Sequence, residues 1–291
     1  MGVERMDVLK WSFRAITNNP LGFLGLMVLL LFCLIAIFTP YLMPYNPMEY
    51  QYVDGQLARS IPPCKAFWFG TTHYGQDVLS QVILGSRVAL IVGFVAALFL
   101  SIIGTNIGLV AGYFGGRLDN LFMRITDIAF GVPFVPFAIV LITLIGPSIW
   151  NIIITISLLM WRTTARVIRA QVLSLRTRPF ITAARVSGAS HMRIMYIHIL
   201  PNVLPMSFLY IALGIGWATI AEASLSFLGF GDPRMMSWGQ MLYYAFISGS
   251  ARTDWWYILP PGICITLFVI AAFMVGQTYE ETVNPRLRKR R

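Results

Sequence analysis

Few side chains in this sequence are placed to do covalent or metal chemistry. The three histidines all fall outside the strongly apolar runs of the chain; they are His73, His191 and His198. A serine–histidine hydrolase or a histidine-bound metal within those runs would therefore lack its essential side chains. The spacing of the three cysteines matches neither a disulfide framework nor a metal cluster. These observations argue against an enzyme built into the apolar part of the chain.

Carboxylates are also scarce where a membrane carrier would need them. Ion-coupled carriers keep acidic side chains near the membrane midplane, because a buried charge is costly and is retained for a purpose. Asp127 lies near the start of one apolar run, and Glu222 lies at the end of another. We interpret each as a helix-end residue or as the partner of a nearby arginine, rather than as a coupling site.

ATP binding by this chain is not indicated either. A phosphate-binding P-loop places its lysine between a glycine and a serine or threonine. The chain has three lysines, Lys10, Lys65 and Lys289, and none stands in that context. If the protein takes part in active transport, the energy must come from another chain.

The composition is that of a membrane protein. Of the 291 residues, 57% are hydrophobic and 12% are charged, whereas a soluble domain carries roughly 25% charged residues. A span needs about 20 mostly apolar residues to cross about 30 Å of hydrocarbon. We therefore predict an all-α polytopic fold with six spans, at residues 21–43, 88–112, 121–145, 148–164, 203–220 and 257–276. Pro133 and Pro136 predict a kink in the third span, and the apolar stretch 223–231 is too short to cross alone.

Basic residues predict the orientation of these spans, since cytoplasmic segments of membrane proteins collect lysine and arginine. Seventeen of the 22 basic residues fall in the two tails or around the second-to-third and fourth-to-fifth connections: Arg5, Lys10, Arg14, Arg117, Arg124, Arg162, Arg166, Arg169, Arg176, Arg178, Arg185, Arg193, Arg286, Arg288, Lys289, Arg290 and Arg291. Both termini are therefore predicted to be cytoplasmic. The outer side then carries the segments 44–87 and 222–256, whose aromatic residues are typical of an interfacial belt.

One basic, small-residue-rich stretch, at residues 181–202, reads ITAARVSGASHMRIMYIHILPN. Pro179 just before it suits the first turn of a short helix, and Gly188 can adopt a positive φ that turns the chain sharply. Ser190 can cap a second helix, at residues 191–200, and Pro201 is expected to kink or break the chain where the fifth span begins. The stretch predicts a helix–turn–helix elbow on the cytoplasmic face; by general physics alone, a basic connecting loop remains the alternative.

The same stretch resembles a known motif. Its residues Ala183, Ala184, Gly188, Leu200 and Pro201 have the spacing of the EAA loop in membrane subunits of bacterial and archaeal ABC importers. In that family the pattern is Glu-Ala-Ala-x-x-x-Gly-x(9)-Ile-x-Leu-Pro. Thr182 stands here in place of the glutamate and His198 in place of the isoleucine, and HILPN is common in the peptide-importing branch.

The resemblance covers almost the whole chain. NPL at 19–21 followed by PYLMPYNP at 40–47 is similar to the extra N-terminal span of one of the two permease subunits of dipeptide, oligopeptide and nickel importers, the C-type subunit. Further segments resemble the same subunit: FGTTHYGQDVLS at 69–80, AGYFGGRLD at 111–119, RAQVLSLR at 169–176, AEASLSFLG at 221–229 and NPRLR at 284–288. In the first of these, Thr72, Gln76 and Gln81 replace the usual Asp, Arg and Arg.

The resemblance implies a type I importer permease fold and a division of the chain. The parts would be a cytoplasmic tail (1–20), a first transmembrane helix (21–43), an extracytoplasmic segment (44–87), a five-helix permease core (88–280) with its coupling loop (177–201), and a basic cytoplasmic tail (281–291). Residues expected to couple to an ATPase are Thr182, Ala183, Ala184, Arg185, Gly188, Ala189, Ser190, Leu200 and Pro201. Candidate residues of the translocation pathway or gate are Phe130, Pro133, Glu222, Ser224 and Ser226.

The function implied by the resemblance is import of peptides or a related small solute across the cytoplasmic membrane. The implied partners are a second, homologous permease that completes a heterodimer, two ATP-binding cassette subunits, an extracytoplasmic solute-binding protein and membrane lipid, without nucleic acid. ATP and Mg²⁺ would bind the partner ATPases and no cofactor would bind this chain, which would not itself be an enzyme. The alternatives are a stand-alone secondary carrier or channel, and an intramembrane enzyme.

Overall fold

The structure, a computed structural model, describes residue 17 and residues 19–283. The helices in chain order are α1 (Pro20–Ile37), α2 (Thr39–Leu42), α3 (Val78–Phe114), α4 (Gly116–Gly131), α5 (Phe134–Ile145), α6 (Ile149–Leu175), α7 (Pro179–Val186), α8 (His191–Arg193), α9 (Leu200–Leu225), α10 (Trp238–Ile247) and α11 (Trp255–Val283). Two π-helical segments, π1 (Ile194–Ile199) and π2 (Ser226–Phe230), flank α9, and a 3-10 turn (Ser250–Arg252) precedes α11. Strands β1 (Tyr52–Val53) and β2 (Gln56–Leu57) form one antiparallel hairpin. All eight basic residues of the predicted tails, and the NPRLR segment at 284–288, lie outside the described residues.

Helices that could cross a membrane dominate the described part of the chain. Five are long and apolar enough: α1, α3, α6, the continuous helix His191–Phe230 and α11. The pair α4 and α5 is a sixth candidate if it counts as one span, and it is bent by 94°. The predicted all-α polytopic fold is confirmed.

The bend between α4 and α5 lies at Pro133, which confirms the kink predicted in the third span. Proline has no amide hydrogen and its ring disfavours a helical residue before it, so α4 stops at Gly131 and Val132 is extended. Pro136 lies in the first turn of α5, where an amide hydrogen has no partner within the helix in any case. Only one of the two prolines therefore bends the chain.

Two spans begin or end far from their predicted limits. α3 begins at Val78 rather than at residue 88, because the Asp77 side chain accepts a hydrogen bond from the Ser80 amide and caps the helix. α6 continues to Leu175 rather than stopping at residue 164. Consequently Arg162, Arg166 and Arg169, which were assigned to a cytoplasmic connection, are residues of a helix.

Of the kink or break expected at Pro201, the break is wrong. Helix α8 passes through π1 directly into α9, and the Leu200 amide donates to the Met195 carbonyl, one residue further back than in an α-helix. Pro201 has no amide hydrogen, and the wider π-helical turn accommodates it without breaking the helix. The helix therefore continues to Phe230. His191 and His198 thus lie on this helix, although outside the span 203–220 that was predicted, and most of the stretch 223–231 is its far end.

Helix α3 is the centre of the bundle and packs closely on α6 through a stripe of glycines. Gly104, Gly108 and Gly112 recur every fourth residue on one face of α3. A Cβ atom built on Gly108 would lie 2.5 Å from the Ala165 carbonyl oxygen, and one on Gly112 would lie 2.7 Å from the Val172 Cβ. Such small-residue stripes let two helix backbones approach where no hydrophobic effect drives them together.

The segment between α2 and α3 is fixed to the N-terminal end of α11. The Ser60 hydroxyl donates to the Asp254 carboxylate at 2.6 Å, and the Trp256 indole N–H donates to the Thr71 carbonyl at 3.2 Å. The Thr71 hydroxyl in turn donates to the Ala58 carbonyl at 2.5 Å and accepts from the Ile61 amide. These bonds hold a segment of little regular structure against the bundle.

The glycine stripe gives a test of this packing. We expect Gly108→Ala to destabilise the protein by about 1–3 kcal/mol, because the added methyl group forces α3 and α6 apart. Thermal unfolding of the detergent-solubilised protein measures the loss.

The matched control is Gly262→Ala in α11, where an added Cβ would meet no atom within 4 Å. Because alanine favours helix over glycine by about 1 kcal/mol, that variant should be at least as stable as the parent. Equal melting temperatures for the two variants would contradict close packing at Gly108.

Candidate functional site

The elbow predicted at residues 181–202 exists as a short helix, a turn and a second helix. α7 begins at Pro179 and ends at Val186, and Gly188 follows with φ +78°. Ser190 then caps α8, its side chain accepting from the Arg193 amide at 3.3 Å. The predicted helix start, glycine turn and serine cap are confirmed.

One face of the elbow anchors it to the bundle. Ile181 is fully buried and packs with Leu109 of α3 and Val172 of α6 in a cluster that also contains Ile194 of π1. Ala184 and Ala189 pack at the edge of the same cluster, as does Leu200. Tyr113 at the end of α3 adds a hydrogen bond of 2.8 Å between its hydroxyl and the His191 Nδ1. The elbow is therefore rigidly tied to α3 and α6.

The other face of the elbow is open. Thr182, Ala183 and Val186 lie on the exposed side of α7, and Val186 is 85% exposed. Arg185, Gly188 and Ser190 are exposed as well, whereas Pro201 is half-buried. An amphipathic helix of eight residues that shows small and apolar side chains to one side leaves a surface for close approach. The predicted coupling residues thus divide into a packed set and an exposed set.

Arginines of α6 form a second feature, which the sequence analysis interpreted only as orienting charge. Arg169 makes two hydrogen bonds of 2.6 Å to the Asp119 carboxylate of α4, and Arg166 makes one of 2.7 Å to Asp127. Arg162 donates to the Ala129 backbone carbonyl. These side chains hold α4 along α6. Arg162, Arg166 and Arg169 recur every three or four residues, and this spacing is the sequence signal of a helix face rather than a loop.

A small polar pocket lies at the other end of the bundle. Its lining includes Glu222, Asp232, Ser237 and Gln240, together with apolar residues of α3 and α6. Glu222 is 4% exposed and accepts a hydrogen bond of 2.6 Å from the Ser226 hydroxyl. Among the described residues no arginine lies within ion-pair distance of Glu222, whereas Asp127 does pair with an arginine, one of the two roles expected for it.

The candidate pathway residues do not form one site. Phe130 and Pro133 lie at the bend between α4 and α5. Glu222 and Ser226 bond to each other at the polar pocket, whereas the half-buried Ser224 donates its hydroxyl to the Ile220 carbonyl of its own helix. Asp232, Ser237 and Gln240 at the pocket were not predicted.

Asp232 is the most heavily bonded carboxylate of the pocket. It accepts from the Ile149 amide at 3.1 Å and pairs with Arg234 at 3.2 Å. Burial alone would raise the pKa of Asp232, but the bonds from Arg234 and the Ile149 amide outweigh it, so the pKa lies below its usual value of 3.8. Because the Ile149 amide is at the start of α6, this carboxylate fixes the segment after π2 to that helix terminus.

Comparison with known proteins gives the family. Residues 104–289 match the family described as binding-protein-dependent transport system inner membrane component, and residues 10–63 match the N-terminal TM domain of oligopeptide transport permease C. The chain belongs to the first family. It is therefore a permease subunit of the inner membrane, with several membrane spans, and not an enzyme. ATP-hydrolysing and solute-binding partners are general features of this permease family.

Relatives of this permease match it over nearly its full length. The dipeptide transport system permease protein DppC of Alkalihalophilus pseudofirmus is 35% identical over 280 residues, which cover 95% of this chain and 90% of the relative. The oligopeptide transport system permease protein OppC of Bacillus subtilis is 32% identical over 288 residues, covering 98% and 92%. The glutathione transport system permease protein GsiD of Pectobacterium atrosepticum is 34% identical over 270 residues, covering 91% and 86%.

The bonds of Asp232 predict how the permease responds to acid. A carboxylate whose pKa is lowered by folding stabilises the protein above its unfolded pKa, near 4, and this contribution is lost as the pH falls through the folded value. We expect Arg234→Ala to remove part of the contribution, because the pKa of Asp232 then rises toward its unfolded value. Melting temperatures measured from pH 6 to pH 3 should fall less steeply in this variant. Identical slopes in parent and variant would show that the Arg234 pair does not lower the pKa.

Proposed function

We propose that this chain is the C-type permease of a peptide importer driven by ATP, with both termini in the cytoplasm. It would form a heterodimer with a second, similar permease and would contribute half of the translocation pathway. Two ATP-binding cassette subunits would bind ATP and Mg²⁺ on the cytoplasmic side, and a solute-binding protein would deliver the solute from outside. The names of the relatives, which specify dipeptides, oligopeptides and glutathione, support a peptide substrate.

The single observation that carries the proposal is the elbow, packed on one face and open on the other. Ile181 and the Tyr113–His191 bond fix it to α3 and α6. The exposed set on α7 and the turn at Gly188 then offer a small-residue surface to a separate protein. A push on this surface would move α3 and α6 together, because Ile181 is buried in a cluster with residues of both helices and only residues 176–178 connect α6 to the elbow.

The residues of the elbow suit mechanical coupling rather than catalysis. Ala183 keeps the exposed surface flat and Ala184 packs at its inner edge. Gly188 fixes the turn, and Ser190 caps the helix that continues through Leu200 and Pro201. Arg185 is exposed and available for a charge contact with the partner. Thr182, in the position where the family has glutamate, offers only a hydroxyl group, so docking here would depend on shape more than on an ion pair.

The docking surface can be tested with a bulky residue at Gly188. We expect Gly188→Trp to abolish co-purification of the ATPases and the stimulation of ATP hydrolysis by the loaded binding protein, because the indole ring obstructs the surface. ATPase activity of the purified complex and the amount of ATPase retained are the two measurements.

Gly55 provides the matched control. It has φ +77°, almost the value at Gly188, and an added Cβ meets nothing within 4 Å at either glycine. Gly55→Trp therefore imposes the same backbone strain on the turn between β1 and β2, away from the elbow. The proposal would be wrong if both variants, or neither, lost ATPase coupling.

Reconstitution tests the transport function itself. Proteoliposomes that contain both permeases and both ATPases, supplied with the binding protein, should accumulate a radiolabelled dipeptide or oligopeptide only when ATP is present on the ATPase side. Vesicles with this chain alone should show no uptake above the protein-free background. ATP-independent uptake by the chain alone would instead support a secondary carrier.

A further inference from the structure

Arg162 occupies a position where a charge is costly. It lies midway along α6, thirteen residues from Ile149 and thirteen from Leu175, which is about 20 Å from either end at 1.5 Å per residue. Its side chain is half-buried where α6 meets α4, and a charge enclosed within a helix bundle needs a specific partner. The hydrogen-bond partner of Arg162 therefore indicates the role of its charge.

The partner of Arg162 is a backbone carbonyl that the helix itself cannot satisfy. In an uninterrupted α-helix the carbonyl of Ala129 would accept from the amide four residues later. That residue is Pro133, which has no amide hydrogen. The Nη1 of Arg162 donates to the Ala129 oxygen in its place. A carbonyl left unpaired in an apolar setting would cost free energy, so the guanidinium removes one of the penalties of the break.

A second arginine, Arg166, contacts the same part of α4. Arg166 pairs with Asp127 at 2.7 Å and its guanidinium carbon lies 4.2 Å from the centre of the Phe130 ring. The guanidinium carbon of Arg162 lies 5.0 Å from the same ring. Both distances are within the range of cation–π attraction. Near its end, α4 thus presents the Asp127 carboxylate, the Ala129 carbonyl and the Phe130 ring to Arg162 and Arg166, which lie on one face of α6.

We propose that Arg162 is the positioning residue of the bend between α4 and α5, and that Arg166 holds the end of α4 beside it. The Arg162 guanidinium stands in for the amide hydrogen that Pro133 lacks, so the 94° bend is stable only while α6 lies alongside. Three residues, 176–178, separate the end of α6 from the start of α7. Resting on the proposed function, this geometry makes α6 the connection through which movement of the elbow reaches the bend at Phe130 and Pro133.

A spin-label distance across the bend reports the proposed role directly. Leu121 in α4 and Leu144 in α5 are 53% and 76% exposed and accept labels without disturbing packing. With eleven or so residues on each side of the bend, the labelled backbones are about 23 Å apart when bent and about 35 Å apart if the helix were straight. The three native cysteines are first replaced by serine.

We expect Arg162→Ala to shift the distance distribution by several ångströms toward the straight value and to broaden it, measured in the purified chain. Arg162→Lys should restore much of the bent population, since its ammonium group can still donate to the Ala129 carbonyl. Asp119→Asn is the control: it breaks the ion pair with Arg169 between the same two helices but leaves the bend unchanged. An unaltered distribution in Arg162→Ala would overturn the proposal.

A double substitution separates this role from general stability. Pro133→Ala supplies an amide hydrogen for the Ala129 carbonyl, so Arg162→Ala should lower the melting temperature much less in that background than in the parent. Equal losses in the two backgrounds would show that Arg162 does not replace the missing amide.

These measurements need neither ATPase nor transport, and they can therefore succeed even if the proposed function fails. In the complete complex, adding ATP should change the label distance in the parent but not in Gly188→Trp. A distance that responds to ATP equally in both would refute the link between elbow and bend while leaving the role of Arg162 intact.

Discussion

Backbone groups in hydrocarbon have no water to bond to, and each unsatisfied group costs several kcal/mol. The described chain meets this requirement differently at each interruption of a helix. At the start of α3 the Asp77 side chain accepts a hydrogen bond from the Ser80 amide, which has no partner within the helix. Ahead of Pro201 a π-helical segment lets the Leu200 amide reach one residue further back. At the bend, Pro133 has no amide hydrogen to donate to the Ala129 carbonyl, and the Arg162 side chain of α6 donates to it instead. The first two solutions are local; the third makes the shape of one span depend on the position of its neighbour.

That dependence matters because of how α6 is held. The glycine stripe of α3 lets α6 approach until backbone atoms nearly touch, and Ile181 of the elbow is buried against both helices. Side chains that interdigitate at such close range transmit displacement instead of absorbing it, because packed interiors have little compressibility. α3, α6 and the elbow therefore behave as one body. α4 joins this body through polar contacts to arginine side chains, which can exchange partners more readily than a close-packed apolar seam.

The sequence predicted the features that depend on local chemistry. Proline at the start of α7, glycine at its turn, serine at the next cap and the bend in the third span each follow from one residue and its neighbours. It failed where the answer depended on a partner far along the chain. The arginines of α6 have a helical spacing, but their partners on α4 are 33 to 50 residues away along the chain, so these contacts were not predicted. Likewise Pro201 implied a break, since a π-helical segment has no sequence signature as clear as proline itself.

The kind of charge inside the bundle bears on how the protein is energised. A carrier that uses a proton gradient needs a side chain that gains and loses its charge, such as a carboxylate or an imidazole. Arginine does not lose its proton in proteins, so the charges of Arg162 and Arg166 are constant and can act only through geometry. Glu222 lies at the far end of α9, where it bonds with Ser226 and Ser237. A span whose bend depends on a permanently charged neighbour responds to displacement of that neighbour, and in this fold the displacement can enter where α6 meets the exposed elbow.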